Sequence, residues 1–144
     1  SGCVVTPPFA PYGKVVVIDE WRRAGGRLNR GLPAGSVEEG EDPDDAARRE
    51  LREETGYEAG NLTHMTTMEP ANGFSDAVFH YYIARKCEET AEQELDYNES
   101  ISAETVTLDS LVQSARDGEI RDGRTAFAVI YYALFEISSG LPSW

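Results

Sequence analysis

Lysine, cysteine and positive charge are scarce in this chain, and each shortage excludes something. Of 144 residues only Lys14 and Lys86 are lysine, beside eleven arginines, and 26 Asp and Glu against 13 Lys and Arg leave a formal charge of -13. Such a surface repels nucleic-acid phosphates and anionic membranes, so both are excluded as expected partners. Cys3 and Cys87 can pair only once and lack metal-site spacing, which leaves buried or free thiols rather than a disulfide framework. No apolar run approaches the roughly 20 residues of a membrane span. The opening "SGCVVTPPFAPY" has no basic start followed by a long apolar stretch, so no signal or transit peptide is visible and the cytoplasm is the expected compartment. It also lacks an initial methionine; the leading Ser-Gly reads as a scar, and natural sequence is expected to precede it. The only histidines, His64 and His80, fall in strand-like segments with nothing around them to make a nucleophile pair or a zinc site.

What is present fits one domain over 1–144 with a single core: 40% apolar residues and 10% aromatics are ordinary for a globular chain of this length. "CVV" at 3–5 and "KVVVI" at 14–18 read as strands joined through "TPPFAPYG". "AGGRLNRG" reads as a loop and "LPAG" as a turn. "NLTHMTTM" and "AVFHYYIA" (77–84) are strand segments around the loop "EPANGFSD", and the polar, acidic stretch 86–100 reads as a solvated, mobile excursion. "ETVTL" (104–108) reads as a strand and "DSLVQSARDGE" as a short helix ended by Gly118. "RTAFAVIYYALFEI" is expected to pack a helical face of Ala126, Val129, Ile130, Ala133, Leu134 and Ile137 against a sheet. Strands with interspersed helices indicate an α/β or α+β sandwich.

Between Gly35 and Tyr57, "GSVEEGEDPDDAARRELREETGY" carries nine carboxylates and three arginines. Asp42 suits an N-cap, Pro43 the first helical position, Asp44 and Asp45 the positive first turn, and Gly56 the C-terminal stop, so a helix over 43–55 is expected. On it Glu50, Glu53 and Glu54 stand at i, i+3 and i+4, one face within one turn. Like charges about 4 Å apart repel by roughly 4 kcal/mol at the effective dielectric of a protein surface. Three convergent carboxylates form the hard oxygen shell that Mg²⁺ or Mn²⁺ prefers. Arg49, four residues before Glu53, is placed to hold that carboxylate as a helical ion pair. The plainer alternative is an exposed helix laced with Arg and Glu.

The stretch resembles the signature of the Nudix hydrolases: glycine, five residues, glutamate, seven residues, then Arg-Glu-apolar-x-Glu-Glu-x-Gly-apolar. Gly35, Glu41, Arg49, Glu50, Leu51, Glu53, Glu54 and Gly56 match, and Tyr57 stands where an aliphatic residue is commoner. The resemblance implies a Nudix fold, a mixed β-sheet sandwiched between α-helices, with the signature forming a metal-binding loop, helix and loop. It implies Glu50, Glu53 and Glu54 as ligands of Mg²⁺ or Mn²⁺, Ala34 as a further metal-shell position, and Arg49 and Glu41 as orienting groups. Ala47 and Leu51, at i and i+4, would anchor the helix.

Outside the signature, "DEWRR", "LPAG", "NGFSD" and "GEIRDGRT" are similar to the ADP-ribose and nucleoside-diphosphate-sugar pyrophosphatase branch. Gly31, Asn72 and Ala77 depart from it, standing where that branch commonly has glutamate, proline and glutamate. The resemblance implies a homodimer that splits a nucleotide sugar into a nucleoside monophosphate and a sugar phosphate. It also implies a glutamate outside the signature as base: Glu99 in "YNESI" is the best positional match, with Glu94 and Asp96 as rivals. Arg22 and Phe74 are candidate substrate contacts, against a surface arginine and a core phenylalanine respectively. Hydrolysis of nucleoside triphosphates, or binding of a nucleotide sugar without turnover, are the other readings.

Overall fold

The computed structural model describes residues 2–23 and 25–137; Ser1, Ala24 and 138–144, and with them the ends of the expected 1–144 domain, lie outside the described residues. The chain runs β1 (Gly2–Val5), β2 (Phe9–Ala10), β3 (Lys14–Arg22), β4 (Arg27–Gly31), β5 (Ala34–Ser36), α1 (Pro43–Thr55), β6 (Tyr57–Glu58), β7 (Asn61–Met68), β8 (Val78–Arg85), β9 (Glu88–Glu89), β10 (Ile101–Thr107), α2 (Leu108–Arg116) and α3 (Gly123–Tyr131). One sheet has the order β5-β1-β8-β7, with β1 parallel to β8. In the second, β10 lies along one edge of β3 while β2 and β4 share the other. β6 and β9 form a small ribbon. Among the described residues no helix is long and apolar enough to cross a membrane.

Alternation along the strands places the core. Val5, Tyr81 and Ile83 of the first sheet meet Val15 and Val17 of the second, and Leu111 of α2 with Ala128, Val129 and Tyr132 close the cluster. The opposite face of the first sheet, Val4 and Tyr82, receives Ala46 and Ala47 of α1, and Leu51 packs with Ala84 and Cys87. Burying a leucine fully is worth about 1.5–3 kcal/mol. Ala47 and Leu51 thus anchor α1, Asp44 accepts from the Tyr82 hydroxyl at 2.6 Å, and Glu50, Glu53 and Glu54 are left to line a cavity.

Three sequence expectations are corrected here. The glycine- and arginine-rich stretch read as a loop contains β4, because Arg27–Gly31 pairs antiparallel with Ile18–Arg22. "LPAG" ends in β5, held by pairing of Ala34, Gly35 and Ser36 with β1. Short glycine-containing strands have little propensity of their own and exist through their partners. The last helix also turns a different face inward: Thr125, Ala128, Val129 and Tyr132 are buried, while Ile130, Leu134 and Ile137 are exposed. A segment apolar nearly all round leaves its rotation open. Thr125 fixes it, its hydroxyl accepting from Leu32 N–H (3.0 Å) and donating to Asp122 Oδ2 (3.1 Å). After Tyr131 the backbone changes to a π-turn, Ile137 N–H to Tyr132 C=O at 3.2 Å, which shifts the face again.

Candidate active site

α1 begins at Asp42, which has the extended backbone of an N-cap without a side-chain cap bond, and Pro43 occupies the first turn. It stops at Gly56, whose φ of 78° is left-handed and whose N–H reaches Arg52 C=O at 2.8 Å. A Cβ there would also lie 2.3 Å from Ala91 C=O, so only glycine fits on both counts. The expected helix over 43–55 is the observed one.

Arg49 organises the acidic face. Its Nε and Nη2 donate to the two oxygens of Glu41 at 2.9 and 3.0 Å, its Nη1 donates to Glu50 and Glu53 at 2.9 and 3.2 Å, and Nη2 also reaches Ser36 C=O at 3.0 Å. This guanidinium holds Glu41 well below the usual carboxylate range, at about 2, with help from the Glu38 N–H. Glu41 in turn raises the pKa of Arg49 further.

Glu54 is the buried member of the trio, 6% exposed, its Oε1 accepting from Ala34 N–H at 3.0 Å. Burial, then the nearby charges of Glu50, Glu99 and Glu20, push its carboxyl up to about 8 against that single backbone bond. Burial likewise raises Glu50, opposed by Arg49. Gly35 supplies the room for Glu50: a Cβ there would stand 2.1 Å from the Glu50 carboxyl carbon. Two adjoining cavities result. One, of about 400 Å³, is lined by Gly35, Arg49, Glu50, Glu53, Glu54 and Glu99; the other, of about 220 Å³, continues past Glu54 and Glu99 to Arg22, Asn29 and Arg124.

The acidic stretch 86–100, expected as a solvated excursion, is tied to α1. Thr90 and Ala91 N–H donate to Gly56 C=O, Glu94 N–H to Glu53 C=O at 2.8 Å, and Gln93 Nε2 to Glu54 C=O at 2.6 Å and Ile101 C=O at 3.2 Å. These bonds satisfy carbonyls that a helix end leaves open. They also bring Glu99 to the wall shared by both cavities, where its Oε1 accepts from Asp96 N–H at 2.7 Å. Composition alone reads such a stretch as loop; the signal was Gln93, a neutral amide amid acids.

The other sequence candidates divide. Ala34 lines both cavities, as does Glu54. Arg22 lines the smaller one but pairs with Glu20 at 3.0 Å. Phe74 is 91% exposed, outside the core, and lines neither cavity. Asp96 borders the larger cavity, whereas the rival Glu94 lies 4.0 Å from Arg52. The histidines sit on β7 and β8 around Thr67, His64 Nε2 at 2.7 Å and His80 Nδ1 at 3.3 Å from its hydroxyl. Sequence reasoning missed Asp122 and Arg124. Asp122 caps α3 through Arg124 N–H at 3.2 Å, and the Arg124 guanidinium returns to the same carboxylate. The cue was an N-cap aspartate two residues before an arginine.

Among the described residues no three His, Cys, Asp or Glu side chains already converge on one point as a closed metal cage. The donor set nonetheless suits a hard divalent cation: carboxylates of one helical turn, a glycine notch that admits Glu50, and a carboxyl pushed toward its neutral form by burial and then by neighbouring negative charge.

A model of the NUDIX domain matches residues 2–127. The chain is 35% identical over 136 residues to the ADP-ribose pyrophosphatase of Bacillus subtilis, covering 94% of this chain and 74% of that protein. It is 34% identical over 138 residues, with the same coverages, to the methanol dehydrogenase activator of Bacillus methanolicus. The crystal structure of an ADP compounds hydrolase superposes with a TM-score of 0.84 at 20% identity, over 96% of this chain and 74% of that one. The matched span contains the whole acidic helix, its glycine notch and the Glu99 loop, so this chain belongs to the NUDIX domain family and has its fold.

Proposed function

We propose that this chain is a metal-dependent hydrolase that cleaves the pyrophosphate bond of a nucleoside diphosphate joined to a sugar, ADP-ribose or a related nucleotide sugar, releasing a nucleoside monophosphate and a sugar phosphate. One observation carries the reading: Glu50, Glu53 and Glu54 line a cavity together with Glu99, although burial first, and nearby carboxylate charge after it, raises the pKa of Glu50 and of Glu54. Relatives that are pyrophosphatases of ADP-ribose support the substrate class.

Glu50, Glu53 and Glu54, with Ala34 at the cavity wall, would hold Mg²⁺ or Mn²⁺. Such an ion would supply positive charge between the carboxylates and a diphosphate and would act there as a Lewis acid. Arg49 fixes the direction of Glu50 and Glu53, and Glu41 fixes Arg49. Glu99, on a loop clamped to α1, accepts the proton of the attacking water. Arg22 and Arg124 bring positive charge to the adjoining cavity, which also carries the carboxylates of Glu20, Glu54, Glu99 and Asp122. The reading includes a homodimer, which sedimentation at micromolar concentration tests.

A product-resolved screen of nucleotide sugars, dinucleotides and nucleoside triphosphates with Mg²⁺ and Mn²⁺ decides the class. Sugar phosphate plus nucleoside monophosphate is the expected outcome. Inorganic pyrophosphate from triphosphates, or binding with no turnover, would replace this reading with the triphosphate hydrolase or the sensor.

A further inference from the structure

Residues of β3 and β4 stand directly opposite one another, Ile18 with Gly31, Glu20 with Asn29 and Arg22 with Arg27, so each pair projects from one face of the hairpin. That face floors a trough. At its inner end Ile18 and Gly31 lie in the cavity that contains Glu54 and Glu99, and at its outer end Arg22 and Arg27 line a cavity of about 350 Å³. Arg22, Asn29 and Arg124 line both cavities, which therefore adjoin. Four residues of extended strand separate Ile18 from Arg22, about 13 Å.

Charge changes sign along that length. The inner end carries Glu54 and Glu99, whereas the outer cavity is lined by three guanidinium groups and by the carboxylate of Asp122. Like charges directly opposite across two strands destabilise their pairing, yet two of the eleven arginines of a chain with net charge -13 face each other here. Arg22 is matched by Glu20 at 3.0 Å and Arg124 by Asp122 at 3.1 Å. Arg27 forms no ion pair among the described residues. A guanidinium fork holds a carboxylate or a phosphate through two parallel hydrogen bonds, so the unmatched member of the group suits an anion that the chain does not itself supply.

A diphosphate held beside Glu54 leaves the length of the trough for the sugar joined to it, and a group on the far side of that sugar arrives between Arg22 and Arg27. Resting on the hydrolase reading above, we infer that Arg27, with Arg22, binds an anionic substituent of the sugar, a carboxylate or a phosphate monoester, and so selects nucleotide sugars that carry negative charge beyond the diphosphate. The same fork would accept a free anion such as inorganic phosphate, and the two sources separate by whether charge on the sugar alters its binding.

Sugar 1-phosphates isolate the distal end, because they carry neither a base nor a pyrophosphate bond to cleave. Calorimetric titration of the full chain with Mg²⁺ present compares glucuronate 1-phosphate with glucose 1-phosphate, which has a hydroxymethyl group where the former has a carboxylate. The first is expected to bind about tenfold or more tighter, and Arg27→Gln, at an exposed position, should erase that preference. Arg27→Lys keeps the charge and loses the fork, so it should retain only part of it. Equal affinities in the wild type, a preference that survives Arg27→Gln, or an equal loss for both ligands would overturn the inference. So would inorganic phosphate whose binding is lost in Arg27→Gln while the two sugar phosphates bind alike, since the arginines would then serve a free anion. Turnover of UDP-glucose and UDP-glucuronate at equal kcat/KM overturns the anion site and leaves the hydrolase standing. An Arg27-dependent preference without turnover of any nucleotide sugar supports the anion site and removes the hydrolase.

Discussion

Arg49 grips both oxygens of Glu41, at 2.9 and 3.0 Å, while its remaining nitrogen reaches Glu50 and Glu53. Glu41 thus acts on Glu50 and Glu53 through Arg49. Glu41→Gln keeps the size of the side chain but loses the charge-assisted fork. Activity and divalent-ion affinity should fall about 10–100-fold, the usual scale for groups that orient metal ligands, with little change in melting temperature. Steady-state kinetics across a metal titration checks this; a full rate at low metal concentration would contradict it.

Glu54 couples stability to pH. Its folded pKa, about 8, lies above its ordinary value of 4.5, so the folded protein holds that proton more tightly than the unfolded chain does. The stability this contributes is fully present below pH 4.5 and is lost as pH rises toward about 8. Glu54→Gln retains an acceptor for Ala34 N–H and removes the titration. Melting curves of the metal-free proteins should show the variant gaining on the wild type between those limits, while its turnover drops about 100-fold or more. A variant that melts in parallel with the wild type at every pH would refute the assignment.

The same group sets how divalent ions bind. A cation that takes Glu54 must displace its proton, so affinity should rise with pH, by up to about tenfold per unit, and level off near pH 8. Titration of Mg²⁺ or Mn²⁺ at several pH values, in buffers of different protonation enthalpy, reads both the affinity and the released proton. Affinity flat from pH 6 to about 8 would count against Glu54 as a ligand.

Glu99→Gln should lower kcat by about 10²–10⁴-fold and leave KM nearly unchanged, as expected when a general base is lost. An unaltered kcat would transfer the role to Asp96, which borders the same cavity.

Gly35→Ala is a single-methyl test of the notch. Its Cβ would overlap the Glu50 carboxyl carbon at 2.1 Å, so Glu50 must leave its place. Activity should fall at least about tenfold with the α1 anchor at Ala47 and Leu51 intact, a result that crystallography and a retained melting temperature together would establish.

The sequence alone determined the acidic helix. Its cap position, Pro43, the glycine stop and the i, i+3, i+4 spacing of Glu50, Glu53 and Glu54 are local properties, set by backbone geometry over a few residues, and the observed helix follows them. The long strands β3, β7 and β8 were legible for the same reason, through β-branched and aromatic runs. Only the tertiary structure decided the rest. β4 and β5 exist because β3 and β1 pair with them, the face of α3 is chosen by the Thr125 hydroxyl, and the stretch that carries Glu99 is positioned by bonds to carbonyls at the end of α1. The Asp122–Arg124 pair meets Glu54 and Glu99 across a cavity although about 70 and 25 residues separate them along the chain. Such contacts depend on partners distant in sequence, and no local pattern of residues encodes which partner arrives.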